Sequence, residues 1–285
     1  MPKTVDDRFS LKFHGWAGLS IIGISEILLL AEISFVKIYF TPLVWSGYIL
    51  FLDSLIYRGK GNSLLINRPK EFALMLPLSV GFWLIFEFYN LYIQNWHYVG
   101  LPEDILLRWI GYAWAFATIW PAILLTAESL ESLSFISRQK IKPLVIHRKI
   151  LFSSLFFGVF CLIIPLIVSS AVAKYLAAPV WLGFIFLLDP LNYWMGKKSI
   201  FRDLEKGDPR TLYCLLLSGF ICGGLWEFWN YWAGAKWHYT VPILGQVKIF
   251  EMPVLGYLGF PPFAVECYAM YFFVMNVISK RSNSG

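Results

Sequence analysis

Residues 44–57 read VWSGYILFLDSLIY, and residues 180–193 read VWLGFIFLLDPLNY. Each stretch is apolar along almost its whole length, and each carries a single acid at the same position, Asp53 in the first and Asp189 in the second. A charge inside an apolar stretch is costly, so such residues tend to mark function. The two stretches predict equivalent helices in an internally duplicated chain.

A second motif recurs further along in the same order. EFYN at 87–90 is followed by WHY at 96–98, and EFWN at 227–230 is followed by WHY at 237–239. Each copy therefore has a Glu, an Asn three residues later and then a Trp-His-Tyr. Because residues three apart are neighbours on a helix surface, we expect the Glu and the Asn of each copy to share one face.

The composition indicates a membrane protein. The chain is 58% hydrophobic and 15% charged, against roughly 45–50% and about 25% in an ordinary soluble domain. Its apolar runs of about 18–25 residues are long enough to cross a hydrocarbon core as helices. We therefore predict an all-α polytopic membrane protein with about eight transmembrane helices and no strand-like alternation. The predicted spans are 15–36, 38–57, 72–94, 108–130, 150–173, 176–195, 211–233 and 254–278.

The distribution of basic residues agrees with eight spans. Lys and Arg cluster at the N-terminus, after every second predicted span and at the C-terminus. The clusters are Lys3, Arg8 and Lys12; Arg58, Lys60, Arg68 and Lys70; Arg138, Lys140, Lys142, Arg148 and Lys149; Lys197, Lys198, Arg202, Lys206 and Arg210; and Lys280 and Arg281. The positive-inside rule then puts both termini in the cytoplasm. We expect the protein in the cytoplasmic membrane of a bacterium. The net charge of +6 follows from this topology, and we expect no nucleic-acid partner.

Four predicted spans precede the basic stretch near Lys140 and four follow it. We divide the chain into a first four-helix membrane repeat at 1–137 and a second at 138–285. Because each unit has an even number of spans, the two should have the same orientation, which is a parallel repeat. The first and second spans, and the fifth and sixth, are expected to form tight helical hairpins with very short turns.

Polar side chains gather around the acids of the second repeat. Asn192 and Tyr193 follow Asp189 by three and four residues. Asn230 follows Glu227 by three. Since residues at these separations lie on one helix face, we predict a polar pocket inside the second repeat. Its candidate lining residues are Asp189, Asn192, Tyr193, Glu227, Asn230 and Glu266.

The first repeat has corresponding acids, Asp53 and Glu87, and these are candidate catalytic residues as well. A carboxyl group in an apolar site tends to stay protonated and can then act as a general acid. A purely structural interpretation stays open, in which the acids only hydrogen-bond between helices and hold the bundle together.

The chain contains 13 Trp, 15 Tyr and 25 Phe. Aromatic faces attract cations by about 2 kcal/mol or more when desolvated. A protonated acid beside aromatic rings suits the proton-initiated cyclisation of a polyene, in which the rings stabilise the carbocation and a carboxylate or His removes a proton at the end. The candidate substrate-binding residues are Trp226, Trp229, Trp237, Phe263, Asn230, Asn192 and Tyr193.

The two histidines His97 and His238 hold the same place in the two Trp-His-Tyr motifs. A role in proton transfer, for which His238 is the candidate, competes with a position at the membrane interface. No spacing typical of a metal site or of a nucleotide-binding loop is present, so we expect no metal and no cofactor. Glu87 with His97 and Glu227 with His238 stay open as sparse metal ligands.

The second half carries a family resemblance. Trp226-Glu227, then Trp237-His238-Tyr239, Pro242, Gly245 and 262–266 (PFAVE) resemble the membrane-embedded, heterodimeric-type lycopene cyclase domain of bacteria, archaea and fungi. Phe86-Glu87, Trp96-His97-Tyr98 and 101–104 echo it in the first half. The resemblance implies an integral-membrane isoprenoid or carotenoid cyclase, with Glu227 and Glu266 as proton donor and cation stabiliser. The chain departs from the family in having one acid, Glu266, where the family has two adjacent acids, and in its four-span unit.

Two other classes of function fit the sequence. One is a proton-coupled membrane transporter in which the acids form a relay. The other is a non-catalytic lipid-binding or assembly protein. In each case membrane lipids or a lipid-like substrate are the expected partners, and the oligomeric state is left open.

Overall fold

The computed structural model describes residues 10–133, 136 and 138–282, with side chains up to residue 278. Lys3, Arg8 and the repeat boundary at residue 137 lie outside the described residues. The described chain is mostly helical. Its helices are α1 Phe13–Leu30, α2 Ser34–Lys60, α3 Leu64–Asn67, α4 Pro69–Ile93, α5 Ile105–Ala117, α6 Ile119–Leu130, α7 Arg148–Ile167, α8 Ser170–Ala173, α9 Ala177–Trp194, α10 Ile200–Glu205, α11 Arg210–Trp232 and α12 Phe260–Ser282.

Seven helical segments are long and apolar enough to cross a membrane, within the part of the chain that the structure describes. They are α1, α2, α4, α5 with α6, α7, α11, and α12 with the 3₁₀ helix Val254–Gly259 that precedes it. Helix α9 has 18 residues but is not among the seven. The polar residues Asp189 and Asn192 in its second half lower its hydropathy. The fold is therefore that of a helical polytopic membrane protein.

Local sequence signals explain several helix ends. Pro69 begins α4, and Pro261 and Pro262 lie in the first turn of α12, where the missing N–H of proline costs nothing. Gly61 ends α2 in the left-handed region with φ 68°. The Asp104 side chain caps α5 by accepting from the backbone N–H of Leu107 at 2.9 Å.

The predicted fourth span is broken at Thr118 into α5 and α6. A break inside an apolar bundle leaves backbone groups without helical partners, and these must be satisfied by neighbours. Ser79 of α4 does this, because its hydroxyl donates to the Phe116 carbonyl at 2.5 Å and accepts from the Trp120 N–H at 3.1 Å. The hydroxyl therefore holds the broken helix against α4.

Two short antiparallel strand pairs accompany the helices in the described part of the chain, which is otherwise helical as predicted. Strand β1 (Trp96–Val99) pairs with β2 (Lys236–Tyr239), and β3 (Lys248–Ile249) pairs with β4 (Met252–Pro253). Strands of two to four residues are too short for residue alternation to show in the sequence. The β1–β2 pair joins the two Trp-His-Tyr motifs, with His97 directly opposite His238.

The helix connections collect at two ends of the bundle. At the ladder end, which contains β1 and β2, the Gly234 N–H donates to the Lys37 carbonyl at 2.8 Å, and Asn95 Nδ2 donates to the Lys174 carbonyl at 3.0 Å. At the far end, Tyr271 donates to Glu71 at 2.9 Å. The long helices run alternately between these ends.

The boundaries of two expected hairpins differ from the prediction. Helix α1 ends at Leu30 rather than residue 36, and a turn of three residues leads to α2. Helix α7 ends at Ile167, and the connection to α9 includes the short helix α8. The very short turn expected there is therefore wrong, because Val168 and Ser169 adopt extended backbone and end the helix early.

Close backbone packing joins the first helix of each half to the second. In α2, a Cβ on Gly47 would meet the Gly18 carbonyl of α1 at 2.7 Å. In α7, a Cβ on Gly158 would collide with the Leu187 backbone nitrogen of α9. Small residues at such crossings let helices approach closely, which is a main source of association energy in membranes.

This packing predicts that Gly47→Ala destabilises the protein while Gly81→Ala does not. Both glycines lie inside long helices, but a Cβ on Gly81 would have no neighbour within 4 Å. Overpacking costs typically about 1–3 kcal/mol, whereas alanine alone favours a helix by about 1 kcal/mol. Thermal unfolding in detergent should show a lower midpoint for Gly47→Ala and an equal or higher one for Gly81→Ala. Equal midpoints for the two variants would contradict the close crossing.

Candidate functional site

Asp53 and Asp189 each hold the start of a short helix in the following loop. Asp53 Oδ2 accepts from the Ser63 hydroxyl at 2.7 Å, and its Oδ1 accepts from the Leu65 N–H at 2.9 Å. His14, which the sequence did not single out, lies with Nε2 at 3.1 Å from Asp53 Oδ2. These contacts fasten α3 to the end of α2.

Asp189 makes the same type of contact in the second half. Its carboxylate accepts from the Ser199 hydroxyl at 2.9 Å and from the backbone N–H groups of Ile200 at 2.8 Å and Phe201 at 2.9 Å. In both halves the serine follows the aspartate by ten residues. The structure thus places both aspartates at loop anchors at the far end, and Asp53 has an additional contact with His14 of α1.

The two asparagines of the Glu-x-x-Asn motifs hold the two strands. Asn90 Nδ2 donates to the Trp96 carbonyl at 2.8 Å, and Asn90 Oδ1 accepts from the Trp96 N–H at 3.3 Å. Asn230 Nδ2 donates to the Trp237 carbonyl at 2.9 Å, and its Oδ1 accepts from the Trp237 N–H at 2.9 Å. Each asparagine therefore bonds the backbone N–H and C=O of the tryptophan in its motif, as a neighbouring strand would.

The two glutamates of these motifs accept hydrogen bonds from the strand side chains. Glu87 Oε1 accepts from Trp83 Nε1 at 2.8 Å, from Trp96 Nε1 at 3.1 Å and from the Tyr98 hydroxyl at 2.5 Å. Three donors on one oxygen suit an ionised carboxylate. Glu87 is only partly buried.

Glu227 has the equivalent position with fewer donors. The Tyr239 hydroxyl donates to Glu227 Oε1 at 2.8 Å, and Trp237 Nε1 donates to the Tyr239 oxygen at 2.8 Å. Glu227 is fully buried, and its Oε2 has no hydrogen-bond partner among the described residues. A buried carboxyl oxygen without a donor is costly as an anion, so this environment suits the neutral acid.

Tyr98 and Tyr239 are also electrostatically perturbed. Burial, and secondarily the adjacent Glu87, raises the pKa of the Tyr98 phenol well above its usual value. Burial, and secondarily Glu227, does the same to the pKa of Tyr239. Both phenols therefore remain hydrogen-bond donors throughout the physiological pH range.

A cavity of about 580 Å³ lies beneath the β1–β2 ladder, and both halves line it. This volume is within the range of about 300–1,000 Å³ that is typical of small-molecule sites. Recurring residues line it in pairs. The pairs are Trp45 with Trp181, Trp96 with Trp237, Tyr98 with Tyr239, and Gly111 with Gly256.

The ladder presents one face to this cavity. Its aromatic positions Trp96, Tyr98, Trp237 and Tyr239 line the cavity, whereas the two histidines do not. Alternate residues of a strand point to opposite faces, so the histidines lie on the other face. Their ring centroids are 5.8 Å apart.

His238 contacts an acid on this outer face, with Nε2 at 3.6 Å from Glu251 Oε1. Within the described ranges, no group of three or more His, Cys, Asp and Glu side chains is close enough to hold a metal ion. Because His238 lies on the outer face of the ladder, a proton transferred by its side chain would start from the side opposite the cavity.

The cavity differs in position from the pocket expected inside the second repeat. None of the six candidates for that pocket lines it. Asp189 anchors a loop, Asn230 holds β2 and Glu227 reaches the cavity only through Tyr239. The sequence could not show this, because the arrangement depends on pairing between two strands that lie about 140 residues apart in the chain.

The other three candidates for that pocket lie between helices or at the far end. Glu266 Oε1 accepts from the Phe184 N–H at 2.9 Å, and its buried Oε2 has no partner among the described residues. Asn192 Nδ2 donates to the Ala269 carbonyl at 3.0 Å. The Tyr193 hydroxyl donates to Glu205 at 2.8 Å.

Of the predicted aromatic substrate-binding residues, Trp226, Trp237 and Phe263 line the cavity. Trp229 does not. Its ring packs against Trp45 with centroids 5.0 Å apart, and its Nε1 donates to Glu26 at 3.0 Å. A role in binding substrate stays a prediction for all four aromatic residues.

Sequence reasoning missed four cavity residues that it could have found. Trp45 and Trp181 occupy the same place in the stretches 44–57 and 180–193, and Tyr98 and Tyr239 occupy the same place in the two Trp-His-Tyr motifs. Their recurrence was the available signal. It was obscured because Trp and Tyr are also common at membrane interfaces.

The comparisons with known proteins give no family to which the chain can be assigned. No family model, no curated protein and no solved structure matches it. The function must therefore be argued from the cavity and its hydrogen bonds.

The loop-anchor geometry predicts that Asp189→Asn destabilises the far-end loop. An amide places an NH₂ group against N–H and O–H donors, so at least one buried bond is lost at a cost of about 1–3 kcal/mol. We expect a lower thermal midpoint and faster limited proteolysis within 195–209. Glu205→Gln, an exposed change in the same loop, is the matched control and should change stability by less than about 0.5 kcal/mol. Normal stability of Asp189→Asn together with lost activity would instead support the catalytic prediction for Asp189.

Proposed function

We propose that this protein is a membrane-embedded enzyme that binds an isoprenoid-type polyene in the central cavity and rearranges it by proton transfer. It would act as a cyclase or isomerase that needs no cofactor. In this proposal eight helices cross the cytoplasmic membrane of a bacterium, and the halves form a parallel duplication with both termini in the cytoplasm.

Equivalent contacts in the two halves support the duplication. The Asp–Ser loop anchors, the Asn–Trp backbone bonds and the Glu–Tyr bonds each occur twice at matching positions. The antiparallel pairing of β1 with β2 puts His97 opposite His238. Equivalent residues meet in this way around a two-fold axis, as expected for a parallel repeat.

The observation that carries the proposal is the pair of Tyr–Glu contacts at the cavity wall. Tyr98 and Tyr239 line the cavity, and each donates to a glutamate that does not line it. A hydroxyl can turn to donate to either side. Each tyrosine is therefore placed to carry a proton between a buried carboxyl group and a ligand in the cavity.

The two contacts differ in a way that suits an acid and a base. Glu227 has one donor and full burial, which suits the protonated form, whereas Glu87 has three donors, which suits the carboxylate. Environments that separate two carboxyl groups in this manner assign them opposite roles in acid–base catalysis. Glu227 is thus the proposed acid and Glu87 the proposed base.

The proton steps balance without a further reagent. Tyr239 gives its proton to one carbon of a double bond while the Glu227 carboxyl re-protonates the phenol, so a C–H bond forms and a carbocation remains. Attack by a second double bond closes a ring, and loss of a neighbouring proton through Tyr98 to Glu87 restores an alkene. The product is an isomer of the substrate, and proton exchange returns both carboxyl groups to their starting forms.

The aromatic wall suits the charge that develops in these steps. Trp181 stacks on Phe86 with centroids 5.1 Å apart and lies at right angles to Phe263 at 5.2 Å. Ring faces stabilise a desolvated cation by about 2 kcal/mol. Leu255 and Leu258 line the cavity and are 44% and 63% exposed, which fits entry of an apolar ligand from the bilayer.

The proposal predicts that Tyr239→Phe and Glu227→Gln lower turnover of an acyclic polyisoprenoid by at least about 100-fold, because the proton donor is lost. Membranes containing each variant would be incubated with the polyene, and products resolved by chromatography and mass spectrometry. Tyr98→Phe should lower turnover as well, with accumulation of water-quenched or partly reacted product.

Tyr271→Phe is the matched control for these variants. Tyr271 is buried and donates to Glu71 at 2.9 Å, but it lies at the far end and does not line the cavity. It should keep full turnover. Normal turnover by a Tyr98→Phe/Tyr239→Phe double variant that inserts and folds would overturn acid–base catalysis at this site.

A non-catalytic lipid-binding protein is the second candidate. It is favoured by the absence of any carboxylate among the residues that line the described cavity. In that case the wild-type protein binds the polyene without changing it. Proton-coupled transport predicts pH-driven flux of the ligand across vesicles, again without chemical change.

A further inference from the structure

Three buried polar atoms of the cavity-lining residues lack hydrogen-bond partners within the described part of the chain. They are Thr41 Oγ1, Trp45 Nε1 and Asn95 Oδ1. Thr41 is 8% exposed, Trp45 0% and Asn95 3%. A buried polar atom without a partner costs free energy, and native proteins rarely contain one that serves no purpose. Of these atoms, Thr41 Oγ1 and Trp45 Nε1 can donate to an acceptor on a ligand, whereas Asn95 Oδ1 can only accept.

Thr41 and Trp45 form a matched pair of donors. They lie four residues apart on α2, so their side chains are neighbours on one helix face. The indole N–H can only donate, and the threonine hydroxyl can donate beside it. An oxygen acceptor on the ligand would satisfy both.

The charged residues that line the described cavity are all basic. They are Arg108, Lys174 and Lys236. Lys236 pairs with Glu251 at 3.2 Å, whereas Arg108 and Lys174 have no ion pair with any described residue. Arg108 instead donates to the Pro102 carbonyl at 2.8 Å. Two cations are thus available to an anion in a cavity without a carboxylate on its wall.

Contacts between α2 and α5 place these groups in order. Tyr39 donates to the Leu107 carbonyl at 3.2 Å, and Trp114 Nε1 donates to Ser46 at 3.0 Å, so the two helices run side by side in the same direction. Arg108 is therefore level with the start of α2, nearest the ladder end. Thr41 and then Trp45 lie progressively deeper.

We propose that the cavity ligand is an isoprenoid-type lipid with an anionic terminal group such as a phosphate. Its head group binds Arg108 together with the Thr41 and Trp45 donors, Lys174 adds a second positive charge, and its chain lies among the aromatic rings. This inference rests on the proposed function, in which an isoprenoid-type molecule binds in the central cavity. It adds an acidic group at one end of that molecule.

Binding is tested with the full-length protein in nanodiscs of uncharged phosphatidylcholine, by quenching of tryptophan fluorescence. The probes are geranylgeranyl phosphate, geranylgeraniol and inorganic phosphate. We expect the lipid phosphate to bind at least about tenfold more tightly than the alcohol, since hydrogen bonds to charged groups are the stronger ones. Inorganic phosphate should bind much more weakly than either, which separates a lipid head group from a free anion.

Variants assign the head-group contacts. Arg108→Gln should weaken binding of the lipid phosphate about tenfold and leave binding of the alcohol unchanged. Thr41→Val should weaken binding of both lipids, because both present an oxygen to the hydroxyl. Lys248→Gln is the control, since Lys248 is exposed at the ladder end and does not line the cavity. If Arg108→Gln also weakens binding of the alcohol, the Lys174→Gln variant is used instead to test whether a positive charge binds the phosphate. Lys174 is exposed and has no ion pair with a described residue, so this substitution disturbs no such contact.

Equal affinity of the wild-type protein for phosphate and alcohol would overturn this inference, as would unchanged phosphate affinity in both Arg108→Gln and Lys174→Gln. The outcome is separate from that of the proposed enzyme. Selective phosphate binding without product formation rejects catalysis and keeps the ligand class. Turnover of an uncharged polyene, without tighter binding of the lipid phosphate than of the alcohol, keeps catalysis and rejects the anionic ligand.

Discussion

The hydrogen bonds of Asn90 and Asn230 to the backbones of Trp96 and Trp237 are the interaction on which the rest of the site depends. A four-residue strand has few partners of its own, and unpaired backbone groups are costly in an apolar protein. By holding both strands at their helices, the asparagines allow Trp96–Val99 to pair with Lys236–Tyr239. That pairing joins the two halves and forms the cavity wall.

The buried acids divide into two kinds once their partners are known. The aspartates accept hydrogen bonds from the loops that they anchor, and these contacts have an evident structural purpose. Glu227 and Glu266 each keep an oxygen without a partner. Of these two, Glu227 is connected to the cavity through the hydroxyl of Tyr239, as the partly buried Glu87 is through the hydroxyl of Tyr98.

Much of the helical architecture could be predicted because helix length and hydropathy are local properties. The recurrence of Trp45 with Trp181 and of Tyr98 with Tyr239 in the sequence even indicated two of the residue pairs that line the cavity. The partners of Asn192 and Tyr193 could not be predicted, because spacing along a helix shows which residues share a face but not what that face meets. In the structure Asn192 meets the Ala269 carbonyl and Tyr193 meets Glu205.

The sequence by itself determined that this is a helical membrane protein with a recurring set of Asp, Glu, Asn and Trp-His-Tyr, since apolar runs and motif order are written along the chain. Only the tertiary structure decided that the Trp-His-Tyr motifs pair, that His97 and His238 lie on the face opposite the cavity, and that the cavity is shared by both halves. The physical reason is that strand pairing is a long-range interaction: which face of a four-residue strand points inward depends on a partner about 140 residues away.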